Sequence, residues 1–171
     1  MNKYYAGIGS RETPTEILYQ MADLAKELHA AGYSLRSGHA DGADMTFEMA
    51  VCDRDQGMQI FLPWRKFNGA PERDSRYISE IPHWAYQTVD RYHPASNRLS
   101  MAGRKLMARN AMQIFGPDGE SPVKFVVCYT KDGGPTGGTG QAIRIAQKHR
   151  IPVYNLHNGV ALGALRGDFN L

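Results

Sequence analysis

Cysteine is scarce in this sequence, which has only Cys52 and Cys128 among its 171 residues. Two cysteines are too few for a disulfide-stabilised scaffold and are typical of a reducing compartment, so we expect a cytoplasmic protein. No apolar run approaches the roughly 20 residues of a membrane-spanning helix, and the first residues lack the apolar core of a secretion signal. No spacing of His, Cys, Asp and Glu is typical of a metal site. The sequence therefore predicts no membrane association, no metal and no cofactor.

Three common nucleotide-binding or catalytic motifs are also missing. There is no G-x-x-x-x-G-K-[ST], which excludes a P-loop nucleotidase, and no G-x-S-x-G, which leaves a hydrolase-type serine nucleophile unsupported. The turn GIGSRE at 7–12 lacks the third glycine of the dinucleotide fingerprint. The fingerprint also has an acidic residue at the end of the second strand, where its carboxylate binds a ribose. The predicted strand YSLRS has no such residue at its end. A fingerprint-type dinucleotide site is therefore excluded.

Charge is modest overall and uneven along the chain. Hydrophobic residues make up 42% and charged residues 22%, which is typical of a folded globular protein. The net charge is +3, but residues 64–110 carry nine Lys/Arg against four Asp/Glu. Such a basic segment can meet the phosphates of a nucleotide or of nucleic acid. It can also be an ordinary solvated helical face, and the count alone favours that interpretation.

Short apolar strands alternate with amphipathic helices along the chain, which predicts an α/β fold. Neighbouring parallel strands need crossover helices, so this order predicts an open, mainly parallel sheet with helices on both faces. No repeat, linker or low-complexity stretch occurs, and we expect one Rossmann-like domain over residues 1–171. The predicted strands cover 3–8, 33–37, 58–63, 123–130 and 151–156, and helices after the first cover 43–53, 95–115 and 139–149.

The boundaries of the first helix can be predicted from capping signals. Thr13 is expected as its N-cap, with Pro14 at the first helical position, Glu16 completing a capping box and Gly32 ending the helix. Residues 64–94 show no regular pattern and are expected to form a long loop. Residues 160–167 are expected to form a short tail.

Three glycine-rich turns each follow a predicted strand, namely GIGSR at 7–11, SGHADGAD at 37–44 and GGPTGGTG at 133–140. The carboxyl ends of parallel strands share one edge of a sheet, where ligands bind in such folds. The second and third turns open into helices, so their N–H groups and the helix dipole favour an anion. Glycines also serve tight turns alone, but three turns on one edge favour a phosphate or nucleotide site. The predicted binding residues are Gly9, Ser10, Arg11, Ser37, Gly38, His39, Asp41, Gly42, Gly137, Gly138, Thr139, Gly140 and Gln141.

Aromatic and cationic side chains interleave between residues 64 and 92. Such side chains can stack on bases and pair with phosphates, although aromatics of this kind more often cover a sheet. If the edge binds a nucleotide, this segment is expected to cover its base. The aromatics are Trp64, Phe67, Trp84, Tyr86 and Tyr92, and the cations are Arg65, Lys66, Arg73, Arg76 and Arg91.

The first turn, SGHADGAD and GGTGQAIRIAQKHRIPVYN together resemble the Rossmann-like SLOG superfamily, shared by the DNA-processing protein DprA and the LOG cytokinin-activating phosphoribohydrolases. The resemblance covers roughly residues 3–156. MAGRKLMARN resembles the LOG segment in which an Arg-Lys pair faces the substrate phosphate and sugar. The resemblance thus implies binding or catalytic roles for Arg104 and Lys105, with Arg109 on a nearby arginine.

One departure from LOG enzymes concerns their catalytic glutamate. Gln141 or Arg144 falls at that place, and neither can transfer the proton that cleavage of an N-glycosidic bond requires. Either the activity is lost or another acid supplies it. Asp41, Asp44 and Glu48 are the candidates, and the last two lie four residues apart on one predicted helical face. Alternatively, Asp44 only complements the helix dipole and Glu48 only faces solvent.

Three hypotheses of function remain. The first is a nucleotide-binding protein that cleaves or transfers at the N-glycosidic bond of a nucleoside monophosphate, with Glu48, Asp44 and Arg104 as catalytic residues. The second is a non-catalytic sensor or sequestering protein for a signalling nucleotide. The third is a DprA-like single-stranded DNA binder. By analogy with related folds, residues 98–115 could also pair two copies into a homodimer or higher oligomer.

Overall fold

All six strands form one parallel sheet in the computed structural model, which describes residues 3–171. The spatial order is β4-β3-β2-β1-β5-β6, so the chain winds outward from the centre in both directions. The predicted parallel Rossmann-like architecture is therefore confirmed. The strands are β1 (Lys3–Gly7), β2 (Tyr33–Ser37), β3 (Gln59–Phe61), β4 (Tyr77–Ile78), β5 (Val126–Cys128) and β6 (Val153–Asn155).

Helices cover both faces of this sheet, as predicted. Alternate residues of a strand point to opposite faces, so Tyr5 of β1 joins one apolar core and Ala6 joins the other. The first core packs against α1 (Thr15–Ala30), α2 (Ala43–Val51) and α6 (Ala161–Phe169). The second packs against α3 (His83–Tyr92), α4 (Met101–Phe115) and α5 (Gly140–Lys148). None of the helices described over residues 3–171 could span a bilayer.

Two segments predicted to be irregular contain regular structure. The predicted loop at 64–94 holds β4 and α3, and the predicted tail at 160–167 lies within α6. Both predictions were wrong because these elements are short, and β4 and α3 bury few side chains. In α3 only Ala85 and Val89 are buried, four residues apart. A single buried pair is too weak a periodic signal to separate a helix from a loop.

The start of α1 also differs from the prediction. The helix begins at Thr15, and Pro14 occupies the capping position without a side-chain hydrogen bond. The hydroxyl of Thr13 donates instead to the Ser10 carbonyl at 2.6 Å. The predicted capping box was therefore wrong, because Thr13 closes the turn after β1 rather than the helix.

Phe125 organises the first core from its position just before β5. Its fully buried ring contacts the rings of Tyr33 at 5.4 Å, Tyr5 at 5.8 Å and Phe169 at 4.3 Å between centroids. These contacts join strands β1 and β2 to α6. Phe125 is therefore expected to contribute strongly to the stability of this core.

Replacing Phe125 with Ala is expected to lower the free energy of unfolding by about 3–5 kcal/mol, because the change leaves a cavity among aromatic rings. Urea denaturation measures this loss. The matched control is Tyr19→Ala, whose side chain is 70% exposed, and which should change stability by less than about 0.5 kcal/mol. Equal losses for the two variants would contradict this account of the core.

Candidate functional site at the carboxyl edge of the sheet

The three glycine turns meet at one cleft of about 950 Å³. The first turn contributes Gly9 to Glu12, the second contributes Ala40, Asp41 and Asp44, and the third contributes Thr136 to Thr139. The remaining walls come from α4, from the end of β5 and from the segment after β3. These walls carry Leu106, Met107, Arg109, Asn110, Gln113, Thr130, Lys131, Trp64 and Phe67.

The turn before α5 lines this cleft and carries unused backbone donors. The Gly138 carbonyl accepts a hydrogen bond from the side-chain amide of Asn110 at 2.6 Å, which fixes the orientation of the turn. The N–H groups of Gly137, Gly138 and Thr139 have no acceptor within residues 3–171. A helix start leaves such donors without intrahelical partners, and an anion can satisfy them.

Several glycines of these turns are required by close packing or by a left-handed backbone, but Gly138 is required by neither. A Cβ at Gly9 would lie 2.7 Å from the Ala43 Cβ, and Gly42 has φ +81°, which disfavours a side chain. A Cβ at Gly140 would collide with the Pro135 carbonyl. At Gly138, by contrast, no atom lies within 4 Å of an added Cβ among the described residues. Nothing in the fold therefore excludes a side chain at Gly138.

Arg109 holds the edge of the sheet together from inside. This residue is 6% exposed, and its guanidinium donates to the carbonyls of Gly38, after β2, and of Phe61, at the end of β3. It also donates to the side-chain carbonyl of Asn110 at 3.1 Å, whose amide in turn holds Gly138. Burial lowers the pKa of Arg109, and the nearby Asp44 partly offsets this effect.

Asp44 is the buried acid of the cleft. Its two oxygens accept from the N–H groups of Gly9 at 3.2 Å and Ala40 at 3.5 Å. Burial raises the pKa of this carboxyl to about 6, although Arg109 and the two backbone hydrogen bonds act in the opposite direction. Asp44 therefore changes its charge close to neutral pH.

Several predicted residues lie beneath the cleft surface. Glu48 accepts hydrogen bonds from the Tyr77 hydroxyl and pairs with His39 Nδ1 at 2.8 Å. His39 adopts a left-handed backbone with φ +60°. The Ser37 hydroxyl donates to the Gly7 carbonyl at 2.6 Å. These polar groups are thus engaged within the protein, and among the described residues none of Ser37, His39 and Glu48 lines the cleft.

The arginine-lysine pair of α4 lies away from the cleft as well. Arg104 forms an ion pair with Asp90 of α3 at 2.7 Å. Within residues 3–171, neither Arg104 nor Lys105 lines the cleft. The residues of α4 that do line it include Leu106, Met107 and Arg109. Of the three residues predicted to be catalytic, only Asp44 reaches the cleft.

Gln141 is also buried below the turn. Its side-chain carbonyl accepts from Arg144 at 2.8 Å, and its amide nitrogen has no partner among the described residues. Asn110, Gln113 and Lys131 line the cleft but were not predicted. Lys131 lies three residues after the end of β5 and could have been found from that position. The residues of α4 give no such signal.

Two exposed cations and two aromatic rings form the rim. Arg11 and Lys131 have no ion pair or side-chain hydrogen bond within residues 3–171. On the opposite side, Trp64 is 39% exposed and meets Phe67 edge-on at 5.4 Å. The amide of Asn68 donates to the His39 carbonyl and to Asp41, which ties this aromatic segment to the second glycine turn.

No protein-family model and no curated protein sequence matches this chain. The fold is similar to DNA processing protein A from Helicobacter pylori, whose structure was described for its single-stranded DNA binding mode. The TM-score is 0.56 at 19% identity, and the match covers 90% of this chain and 64% of that protein's chain. At this identity the likeness supports the resemblance to DprA at the level of fold.

Replacing Arg109 with Met is expected to lower the free energy of unfolding by about 3–5 kcal/mol, because the buried carbonyls of Gly38 and Phe61 lose their donor. Urea denaturation measures the change. Arg104→Met, the same substitution on the same helix, should cost far less, since exposed ion pairs contribute little. A comparable loss for both variants would show that Arg109 does not hold the edge together.

The raised pKa of Asp44 predicts a pH dependence of stability. Between its ordinary value of 3.8 and about 6, the folded protein binds this proton more tightly than the unfolded chain, so stability falls as pH rises. The cost reaches about 3 kcal/mol above pH 6. Asp44→Asn keeps an acceptor for Gly9 and should remove this loss. The measurement is urea denaturation of both proteins from pH 4 to 8. A stability difference that does not grow between pH 4 and 6 would contradict the assignment.

Proposed function

We propose that the cleft binds a nucleotide unit of single-stranded DNA, with its phosphate at the turn before α5. The observation that carries this proposal is the set of free N–H groups at Gly137, Gly138 and Thr139. Three consecutive donors at a helix start suit a phosphate oxygen, and the dipole of α5 adds to their attraction. The open space beside Gly138 allows the backbone to approach the ligand.

The cations on the rim support an anionic ligand. Arg11 and Lys131 follow β1 and β5 and line the same cleft as the free amides. Because neither has an acidic partner within residues 3–171, both remain available for phosphate oxygens. Each contact of this kind releases counterions from a nucleic acid, which makes binding sensitive to salt.

The aromatic segment supports a base next to that phosphate. Trp64 and Phe67 line the cleft, and Trp64 keeps an exposed surface. Base stacking on an aromatic side chain contributes about 1–3 kcal/mol and tolerates any sequence. An edge that combines backbone donors, cations and one aromatic wall therefore suits a strand whose sequence is not read.

Two considerations favour a DNA strand over a nucleoside monophosphate as substrate. The similar fold belongs to a protein described for single-stranded DNA binding, which raises this alternative by analogy. In addition, Glu48 is engaged with His39 and Tyr77, and by the resemblance Gln141 or Arg144, neither of them an acid, falls where LOG enzymes carry their glutamate. Of the candidate acids, cleavage of an N-glycosidic bond thus has only the buried Asp44 and Asp41, whose carboxylate accepts from Asn68, in the cleft to draw on.

Gly138→Ala tests the proposal because it alters the ligand's approach but not the fold. We expect the added methyl group to block the free amides and weaken binding roughly tenfold or more, since hydrogen bonds to charged groups contribute about 1.5–3 kcal/mol. The measurement is fluorescence anisotropy of a labelled oligothymidylate at several salt concentrations. Thermal unfolding should show stability unchanged or slightly raised.

Gly163→Ala is the matched control, because Gly163 of α6 also has no atom within 4 Å of an added Cβ and lies outside the cleft lining. It should leave binding intact. Competition with deoxythymidine monophosphate distinguishes the hypothesis of a small nucleotide. If the monophosphate binds as tightly as the oligonucleotide, the ligand is a free nucleotide. If neither binds, or if Gly138→Ala binds like the wild type, the proposed phosphate site is wrong.

A further inference from the structure

The two helical layers differ strongly in charge. Residues 83–115 and 140–148, which include α3, α4 and α5, carry seven Lys/Arg and the single acid Asp90. Helices α1, α2 and α6 on the other face carry two Lys/Arg and six Asp/Glu, of which Asp44 and Glu48 are buried and the other four are not. The first layer is therefore basic and the second acidic, although the whole chain is nearly balanced. The seven cations are Arg91, Arg98, Arg104, Lys105, Arg109, Arg144 and Lys148.

Several of these cations have no acidic partner. Arg104 pairs with Asp90, and Arg109 is buried. Arg98, Lys105 and Lys148 form no ion pair and no side-chain hydrogen bond within residues 3–171, and the same holds for Arg150 just after α5. Because Arg98, Lys148 and Arg150 are exposed and Lys105 is half-exposed, their charges are open to a ligand.

Helix dipoles do not explain this distribution. Lys148 ends α5, where a cation is favourable, but Arg98 and Lys105 lie near the start of α4, where cations are unfavourable. The first turn of α4 carries no acid that would complement its N-terminus. Helix dipoles favour cations only at the carboxyl ends of helices. A polyanionic ligand explains cations at both ends.

The basic layer is continuous with the cleft. Helix α5 begins at the free amides and its nine residues extend about 14 Å to Lys148. Arg144, halfway along, donates to the Pro135 carbonyl in the glycine turn. At the far end, His149 meets the Tyr92 hydroxyl of α3 at 3.0 Å. Lys105 lies outside the cleft lining, one residue before Leu106, which belongs to it.

We propose that Arg98, Lys105, Lys148 and Arg150 form a track for the sugar-phosphate backbone of a DNA strand as it leaves the cleft. The strand runs over α4 and α5 and away from the acidic α1–α2 layer, which repels it. This inference rests on the proposed function, because the cleft supplies the anchoring nucleotide. The track adds affinity for strands longer than the cleft holds.

The test compares two double variants with the same loss of charge. Lys148→Gln with Arg150→Gln removes two cations from the track, and Lys26→Gln with Arg54→Gln removes two exposed, unpaired cations from the opposite layer. Each protein is titrated with a dinucleotide and with an oligothymidylate of about 20 nucleotides over a range of salt. Thermal unfolding verifies that all variants are folded.

We expect the track variant to bind the long strand severalfold more weakly, with the slope of log affinity against log salt reduced by about 1.4 for two lost contacts. Its affinity for the dinucleotide should stay at the wild-type value, and the opposite-layer variant should bind both ligands normally. Equal weakening by both double variants would overturn the track, because only net charge would then matter. If wild-type protein binds neither ligand, the proposed function itself fails.

Discussion

Arg109 sets the geometry on which the candidate site depends. A largely buried guanidinium must donate most of its hydrogens to the protein, since little water reaches it. It finds acceptors at the ends of two neighbouring strands, the carbonyls of Gly38 and Phe61, and in the side chain of Asn110. Asn110 passes this constraint to Gly138. One buried cation thus fixes three chain segments that would otherwise be independent loops, and it orients the turn whose amides remain free.

Glycine has two separate roles at this edge. At Gly9 and Gly140 the absence of a side chain lets neighbouring backbone approach, and at Gly42 it permits a left-handed conformation. These positions build the edge. At Gly138 the absence serves neither purpose, because the space beside it is empty of protein atoms in the described chain. The same residue type therefore serves packing or backbone conformation at most positions and leaves open space at Gly138, a difference that only three-dimensional geometry shows.

The fold was largely predictable because short strands such as β1 and β5 alternate with amphipathic helices. The meeting of three glycine turns followed from parallel topology. Residue roles were less predictable. A pattern cannot show that Thr13 bonds to Ser10 instead of capping α1, or that Arg104 finds Asp90 from another helix. Arg109 looked like any helical arginine in the sequence, because burial between distant segments has no local signature.

Around the cleft, different groups would provide long-range attraction for an anion and selectivity at contact. Asp44 lies near Arg109, so the two buried groups largely offset each other and the floor attracts an anion only weakly. Attraction must therefore come from the exposed cations Arg11 and Lys131 and from the amides before α5. Exposed cations act at long range and do not discriminate among phosphates, whereas the amides act only at contact. A ligand that presents many singly charged phosphates uses this arrangement better than one that presents a single dianion, because it gains from the rim and the basic layer together.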